Sequence, residues 1–149
     1  MKLKYLSKSS LQTQKIGKTV AKEILKIKKG PIVLGLEGEL GGGKTTFLQG
    51  FAKGLGSGEK ITSPTFVILK RFRFFQGYFR SFYHIDCYRI KKIREILNLN
   101  FKKIISNPQN IIAIEWSDRI KKILPKKTLI IKFNFIDKTK RRIELNYKK

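Results

Sequence analysis

The sequence predicts an α/β fold in three layers, with helices on both faces of a mixed parallel and antiparallel central sheet. Three observations support this prediction. Helix-like and strand-like segments alternate along the first half of the chain. The second half contains several short apolar segments that are typical of strands. A glycine-rich loop also joins a short buried strand to a helix, as in α/β proteins that bind nucleotides.

The first half of the chain is predicted to contain two helices around one strand. Ser9-Ser10 offers an N-cap, and apolar residues then recur at helical spacing over residues 11–28. A short apolar strand is predicted over residues 32–36, and a second helix follows over residues 47–55.

The second half is predicted to be richer in strands. A turn around Gln76-Gly77 joins two predicted strands, over residues 65–69 and 78–85. The remaining predicted elements are a weak helix over residues 91–101, a strand over 111–114, a brief helix ending at Lys122, and strands over 129–136 and 141–147.

Length and composition indicate one globular domain over residues 1–149. The chain is 41% hydrophobic and 30% charged, which excludes a disordered protein. The single cysteine, Cys87, can close no internal disulfide and suits a reducing compartment. No apolar run follows the basic start, and the longest apolar stretches are too short to span a membrane. We therefore expect a cytoplasmic protein without membrane contact.

The charge balance is extreme. The 34 Lys and Arg residues against 10 Asp and Glu residues give a net charge of +24, which attracts polyanions such as nucleic acid. The excess is mostly lysine, spread over the whole chain beside many isoleucines and asparagines. A compositional bias explains that pattern as well as a binding face does, so charge alone does not name the partner.

The stretch from Gly38 to Thr46 fits the phosphate-loop pattern G-x-x-x-x-G-K-[ST] without mismatch. Its glycines let backbone N–H groups converge on phosphates at a helix N-terminus. Lys44 supplies a charge for the outer phosphates, and the Thr45 hydroxyl is placed to ligate Mg²⁺. The strand and helix on either side favour this interpretation over an ordinary turn. The predicted nucleotide-binding residues of the loop are Gly38, Glu39, Leu40, Gly41, Gly42, Gly43, Lys44, Thr45 and Thr46.

Two acidic residues follow other predicted strands and are candidates for catalysis. Glu115 comes directly after the apolar strand over residues 111–114, where the second metal-binding acid of a phosphate-loop protein emerges. Asp86 is a candidate to position water, and His84 and Tyr88 would share its face of the strand. The alternatives are a surface glutamate and an Asp86 that merely pairs with Arg89. A catalytic role for His84 is left open.

Two further features give weaker signals. Ser63-Pro64-Thr65-Phe66 is a proline-stiffened loop whose hydroxyls could sense a terminal phosphate, although a plain turn would need no function. Trp116 would pack in the core or meet a partner at the edge of the site.

Taken together, these motifs resemble one family, the bacterial ATPase of tRNA threonylcarbamoyladenosine biosynthesis known as TsaE or YjeE. The likeness covers nearly the whole chain, and the combination is far more selective than a phosphate loop by itself. The matching residues are Thr13 with Ile16-Gly17, the phosphate loop from Gly38 to Thr46, Ser63-Pro64-Thr65-Phe66, Tyr83-His84-Ile85-Asp86-Cys87-Tyr88-Arg89, Ile114-Glu115-Trp116 and Leu124-Pro125.

The resemblance implies a compact ATPase with a phosphate-loop fold, using ATP and Mg²⁺. Thr45 and Glu115 would hold the metal, Asp86 would be needed for hydrolysis, and Thr13 would lie near the nucleotide. Ser63 and Thr65 would belong to a switch. The ATPase would be weak alone and would drive turnover of two partner proteins that modify the adenosine beside the anticodon. Contact with tRNA itself would be indirect. The predicted catalytic residues are Lys44, Asp86 and Glu115.

The chain departs from the family pattern in places. Ser117 stands where proline is common, and Asn100 stands where glycine is usual. The segment over residues 91–103 has Glu95 as its only acid, whereas relatives are more acidic there.

The residues leave two other functions open. A small phosphate-loop kinase would need a lid and an acceptor pocket, for which residues 90–125 are too few. A non-enzymatic nucleic-acid-binding module would stack bases on aromatic side chains of the predicted hairpin, unless one hairpin face is buried. The residues in question are Phe72, Phe74, Phe75, Tyr78 and Phe79, interleaved with Arg71, Arg73 and Arg80.

Overall fold

The computed structural model describes residues 2–39, 43–57, 61 and 68–147. The strands are β1 (Lys2–Ser7), β2 (Ile32–Gly38), β3 (Leu69–Gln76), β4 (Phe79–Asp86), β5 (Asn110–Glu115), β6 (Leu129–Phe135) and β7 (Arg141–Asn146). The helices are α1 (Ser10–Leu25), α2 (Lys44–Gly54), α3 (Ile93–Leu97), α4 (Phe101–Ile104) and a 3-10 helix (Ser117–Ile123).

The strands form one seven-stranded sheet in the order β1-β7-β6-β2-β5-β4-β3. The four inner strands β6, β2, β5 and β4 are parallel to one another. β3 pairs antiparallel with β4 at one end, and β7 pairs antiparallel with both β6 and β1 at the other. The predicted mixed sheet is therefore confirmed. The carboxyl ends of the four inner strands meet at one edge, where ligands bind in open α/β sheets.

Helices cover both faces of the sheet, as the three-layer prediction requires. The side chains of β5 alternate between two hydrophobic clusters. Ile111 and Ala113 pack with α1 and α2, whereas Ile112 and Ile114 pack with α3, α4 and the 3-10 helix. Because both faces are covered, every residue of β5 is buried, and residues 111–114 form a continuous apolar run.

The helices α1 and α2 lie in very close contact. A Cβ atom at Gly17 would lie 2.2 Å from the carbonyl oxygen of Phe47, and one at Gly50 would lie 1.9 Å from that of Gln14. Since neither distance leaves room for a methyl group, glycine lets the two backbones touch. This contact fixes α2, whose first residue is Lys44.

The structure corrects several predicted boundaries. The helix predicted over residues 47–55 begins at Lys44, because the end of the phosphate loop is its N-cap. The weak helix over residues 91–101 is two short helices, separated by Asn100 in a left-handed conformation with φ of 61°. Strand β3 begins at Leu69, where the predicted strand ends, and residues 65–67 lie outside the described residues.

Strand β1 was not predicted at all. The strand is exposed at every position except Ser7, and its exposed residues include Leu3 and Tyr5, each next to a lysine. An edge strand of this kind has no buried face to impose a readable alternation, so its pairing with β7 supplies its structure.

The hairpin of β3 and β4 has one buried face. Phe72, Phe74 and Phe79 are buried, while Arg71 and Arg73 are exposed on the other side. The Arg71 guanidinium donates to the Ser81 hydroxyl at 3.1 and 3.2 Å. These aromatic rings belong to the core and are not available to stack on bases.

Candidate nucleotide-binding site

The candidate site lies at the carboxyl edge of the inner strands. Glu115, the last residue of β5, is in register with Leu36 of β2 on one side and with Asp86 of β4 on the other. The phosphate loop leaves β2 beside these residues and enters α2. The sheet therefore brings together the ends of three strands that sequence reasoning assigned to one site.

The two ends of the phosphate loop are described, and Leu40, Gly41 and Gly42 lie outside the described residues. Gly38 ends β2, and Glu39 is exposed. Gly43 is the N-cap of α2 and has φ of 98°, a left-handed conformation that side chains with a Cβ rarely adopt. Thr46 lies half-buried in the first turn of α2.

Lys44 places its ammonium against the loop and against an aromatic ring. Its Nζ donates to the carbonyl oxygens of Gly38 at 2.6 Å and of Glu39 at 2.9 Å. The same Nζ lies 4.3 Å from the centroid of the Trp116 ring, within cation–π range. Burial lowers the pKa of Lys44, and the negative charges of Glu115, Asp118 and Asp86 oppose that shift.

Glu115 is a buried carboxylate held by two side chains. Only 3% of the residue is exposed. The Thr45 hydroxyl donates to Oε1 at 3.1 Å, and His84 Nε2 lies 2.7 Å from Oε2. Because a carboxylate only accepts hydrogen bonds, the imidazole N–H is the donor. The predicted metal pair, Thr45 and Glu115, is therefore in direct contact across α2 and β5.

Asp86 lies beside this pair at the end of β4. It is half-buried, and its Oδ1 accepts the backbone N–H of Tyr88 at 2.9 Å. Burial raises the pKa of Asp86, and the charge of Glu115 raises it further, while the hydrogen bond from Tyr88 opposes the shift. Within the described part of the chain no ion pair joins Asp86 to Arg89, so the pairing considered as the alternative for Asp86 is not observed.

The face pattern predicted for β4 is largely correct. Ile85 and Cys87 pack in the opposite cluster, and burial raises the pKa of Cys87 to about 12. His84, 2% exposed, points to the site and reaches Glu115. Tyr88 lies beyond the end of the strand, with its ring centroid 5.1 Å from that of Trp116.

Thr13 lies next to the end of the phosphate loop. Its methyl carbon would be 3.6 Å from a Cβ at Gly43. Its hydroxyl is 2.6 Å from the hydroxyl of Ser7, which itself donates to the carbonyl oxygen of Ser9 at 2.9 Å. Thr13 is therefore the donor to Ser7, and the pair joins the start of α1 to β1. Nothing in the sequence indicated Ser7, because β1 was not predicted.

Trp116 and Arg119 form the outer side of the site. Trp116 is half-buried and has φ of 58° at the start of the 3-10 helix. The Arg119 guanidinium lies 5.3 Å from the Trp116 ring centroid and 5.5 Å from that of Tyr88, and it donates to the Tyr88 carbonyl oxygen. Sequence reasoning missed Arg119, since no motif marks it.

The predicted switch residues, Ser63 and Thr65, lie outside the described residues. The next residue after Trp116, Ser117, is fully buried, and its hydroxyl has no hydrogen-bond partner among the described residues.

Comparisons with known proteins agree on one family. A family model described as "Threonylcarbamoyl adenosine biosynthesis protein TsaE" matches residues 7–143. Three relatives are named tRNA threonylcarbamoyladenosine biosynthesis protein TsaE. The Bacillus subtilis protein is 40% identical, over 76% of this chain and 68% of its own length. The Nostoc protein is 43% identical over 61% of this chain, which spans 55% of that relative. The Treponema pallidum protein is 32% identical over 87% of this chain and 89% of its own length.

A solved structure has the same fold. The crystal structure of Bacillus subtilis YdiB superposes with a TM-score of 0.72 and 31% sequence identity, covering 99% of this chain and 86% of that chain. Together with the sheet topology, this match confirms the predicted α/β fold with a mixed central sheet.

Proposed function

Because this chain belongs to the TsaE family of threonylcarbamoyl adenosine biosynthesis proteins, we propose that it acts in tRNA modification as an ATPase that depends on Mg²⁺. ATP and water would be converted to ADP and phosphate. The observation that supports this proposal is the contact of Thr45 with Glu115 directly beside Lys44. A structural glutamate would not need a phosphate-loop threonine as its partner.

The donor set suits a magnesium–nucleotide complex. Thr45 and Glu115 offer oxygen ligands, which Mg²⁺ prefers, and would hold the ion. No group of three or more His, Cys, Asp or Glu residues in the described ranges could hold a metal without other ligands. Phosphate oxygens and water would therefore complete the coordination. When bound, the ion would neutralise phosphate charge, and Lys44 would bind the outer phosphates.

Asp86 is proposed as the residue that orients the attacking water and accepts its proton. A carboxylate that accepts a proton works better when its pKa lies closer to the working pH. The raised pKa of Asp86 fits this role. Asp86 is half-buried, whereas Glu115 is buried and already bonded to two side chains, so Asp86 is the acid that water can reach.

We further propose that turnover depends on two partner proteins of the threonylcarbamoyl transferase machinery, with tRNA contacted indirectly. The outer side of the site supports this, because Asp86 is half-buried and Tyr88 is 37% exposed. A surface that covers them would exclude bulk water and strengthen the electrostatic contacts inside. Among the described residues no helix is both long and apolar enough to cross a membrane. A cytoplasmic location belongs to the same proposal.

The test is a comparison of nucleotide binding and phosphate release. Lys44→Ala should abolish both, because it removes the positive charge that binds the phosphates. Asp86→Ala and Glu115→Ala should retain binding of a fluorescent ATP analogue but lower partner-stimulated phosphate release about 100-fold or more. Glu23→Ala, at an exposed residue of α1, is the control and should behave as wild type.

Normal hydrolysis by Asp86→Ala in the presence of the partners would show that this assignment is wrong. Transfer of phosphate to a nucleoside, instead of release, would favour a kinase.

A further inference from the structure

An open groove of about 610 Å³ lies beside the nucleotide site, between the segment that leads into α3 and the 3-10 helix. Its apolar part consists of Ile90, which is buried, and Ile93, which is half-buried. Four exposed cations and one exposed acid surround these two residues. The charged lining residues are Lys91, Arg119, Lys121, Lys122 and Asp118.

Within the described part of the chain, none of the four cations of this groove forms an ion pair with an acid. The ion pairs found there are Lys2–Glu144, Lys26–Glu23 and His84–Glu115, and none involves a lining residue. The nearby acid Glu95 accepts the backbone N–H groups of Lys91 and Lys92 at 2.8 and 2.9 Å, and its charge offsets part of the charge of Lys91. The groove therefore presents positive charge that an external anion can pair with.

The groove is connected to the phosphate loop through side-chain contacts. Arg119 lines the groove and packs on the rings of both Tyr88 and Trp116. The Trp116 ring in turn lies 4.3 Å from the ammonium of Lys44. An anion that attracts the Arg119 guanidinium would change the packing of Trp116, and with it the position of Lys44.

We propose that this groove docks an acidic segment of a partner protein, with an apolar side chain on Ile90 and Ile93 and carboxylates on the surrounding cations. Docking would change the position of the Lys44 ammonium through the contacts of Arg119 with Trp116 and of Trp116 with Lys44. This inference rests on the proposed function, because it supplies the partner control of ATP turnover.

The groove fits a protein segment better than a nucleic acid. A phosphodiester backbone would use the cations but would not bury the parts of Ile90 and Ile93 that remain exposed. Nucleic-acid grooves also offer aromatic faces for bases. Here the rings of Tyr88 and Trp116 pack on each other, and the Arg119 guanidinium packs on both rings. The mixture of apolar centre and charged rim is the usual anatomy of a protein interface.

The experiment compares two variants with the same charge change. Lys121→Glu/Lys122→Glu reverses two cations of the groove, and Lys18→Glu/Lys22→Glu reverses two exposed lysines on α1, across the sheet. The probes are the purified pair of partner proteins from the same genome and, separately, a tRNA transcript. Affinities are measured by fluorescence anisotropy at one fixed salt concentration.

The groove variant should bind the partner pair about tenfold more weakly than wild type, while the α1 variant changes by less than about twofold. Both variants should bind an ATP analogue as wild type does. Equal losses in the two variants would mean that the affinity depends only on net charge, and would overturn the groove as the docking site. Wild-type affinity of the groove variant would overturn the groove and leave the proposed function intact. Failure of the wild-type protein to bind the pair would overturn both.

RNA is the other outcome that the experiment distinguishes. If the groove variant loses affinity for tRNA and retains it for the partner pair, the groove is a nucleic-acid site and the proposal is wrong. Arg119→Ala tests the connection to Lys44. The ratio of partner-stimulated to unstimulated phosphate release should fall about tenfold in this variant. Normal stimulation would overturn the connection.

Discussion

At the scale of single residues, the site depends on how one buried carboxylate is held. Glu115 has Thr45 on one oxygen and His84 on the other, and it is buried together with His84. A buried charge is tolerated only when its hydrogen bonds are satisfied. The imidazole therefore has a definite task even though it is too buried to meet a nucleotide. It fixes the rotamer of Glu115, which leaves Oε1 directed at Thr45.

We expect His84→Ala to weaken Mg²⁺ binding without removing it. Partners that orient a metal ligand typically contribute tenfold or more to metal affinity. The Mg²⁺ concentration that gives half-maximal phosphate release should therefore rise about tenfold, with nucleotide binding in the absence of metal unchanged. His84→Asn retains an N–H donor and should restore part of the effect. A Mg²⁺ requirement identical in all three proteins would mean that His84 is only a packing residue.

Residue types and strand ends predicted which acids meet the phosphate loop, because a continuous apolar strand must end at one edge of a parallel sheet. For this reason the sequence predicted that Thr45 and Glu115 lie in one site. The contact of His84 with Glu115 depends on the register between β4 and β5, which no local pattern specifies. The position of Arg119 depends on the left-handed backbone at Trp116, and the motifs of the family resemblance did not include Arg119.

At the scale of elements, the site depends on the contact between α1 and α2. Gly17 and Gly50 allow the two backbones to touch, and α2 carries Lys44 and Thr45 at its start. Any shift of α2 along α1 would move both residues away from Glu115. The packing of these two helices therefore sets where Lys44 and Thr45 lie.

Gly50→Ala should destabilise the protein by about 3 kcal/mol, because the added methyl group would overlap the Gln14 carbonyl oxygen. This loss would exceed the gain of about 1 kcal/mol in helix propensity. Urea unfolding measures the change. Lys53→Ala, exposed on the same helix, is the control and should stay within about 0.5 kcal/mol of wild type. A Gly50→Ala protein as stable as wild type would show that the helices can separate freely.

Element types were predictable where burial leaves a mark on the sequence. The strand at 111–114 is buried on both faces and therefore continuously apolar, and the turn at Gln76-Gly77 interrupts two strands of the hairpin. β1 has no such constraint. The start of α2 was misplaced because capping by Gly43 depends on a left-handed backbone and not on a polar side chain.

At the scale of the whole molecule, the excess of positive charge works against folding. The net charge is +24 on 149 residues. Within the described ranges only two ion pairs join a lysine to a carboxylate, and both lysines are largely exposed. Pairs of this kind contribute little. Like charges spread over all surfaces repel one another in the compact state more than in the extended chain.

Screening this repulsion should stabilise the fold. Raising sodium chloride from about 0.05 to about 0.5 M shortens the screening length to well below 10 Å, which weakens repulsion between surface lysines. We expect roughly 1 kcal/mol of added stability, or about 4 °C in Tm for a domain of this size. Calorimetry at fixed pH without nucleotide measures the shift. The variant Lys18→Glu/Lys22→Glu lowers the net charge to +20, because each replacement changes it by two units, and should respond less to salt. A Tm that falls as salt rises would mean that attractive pairs, and not repulsion, dominate the surface.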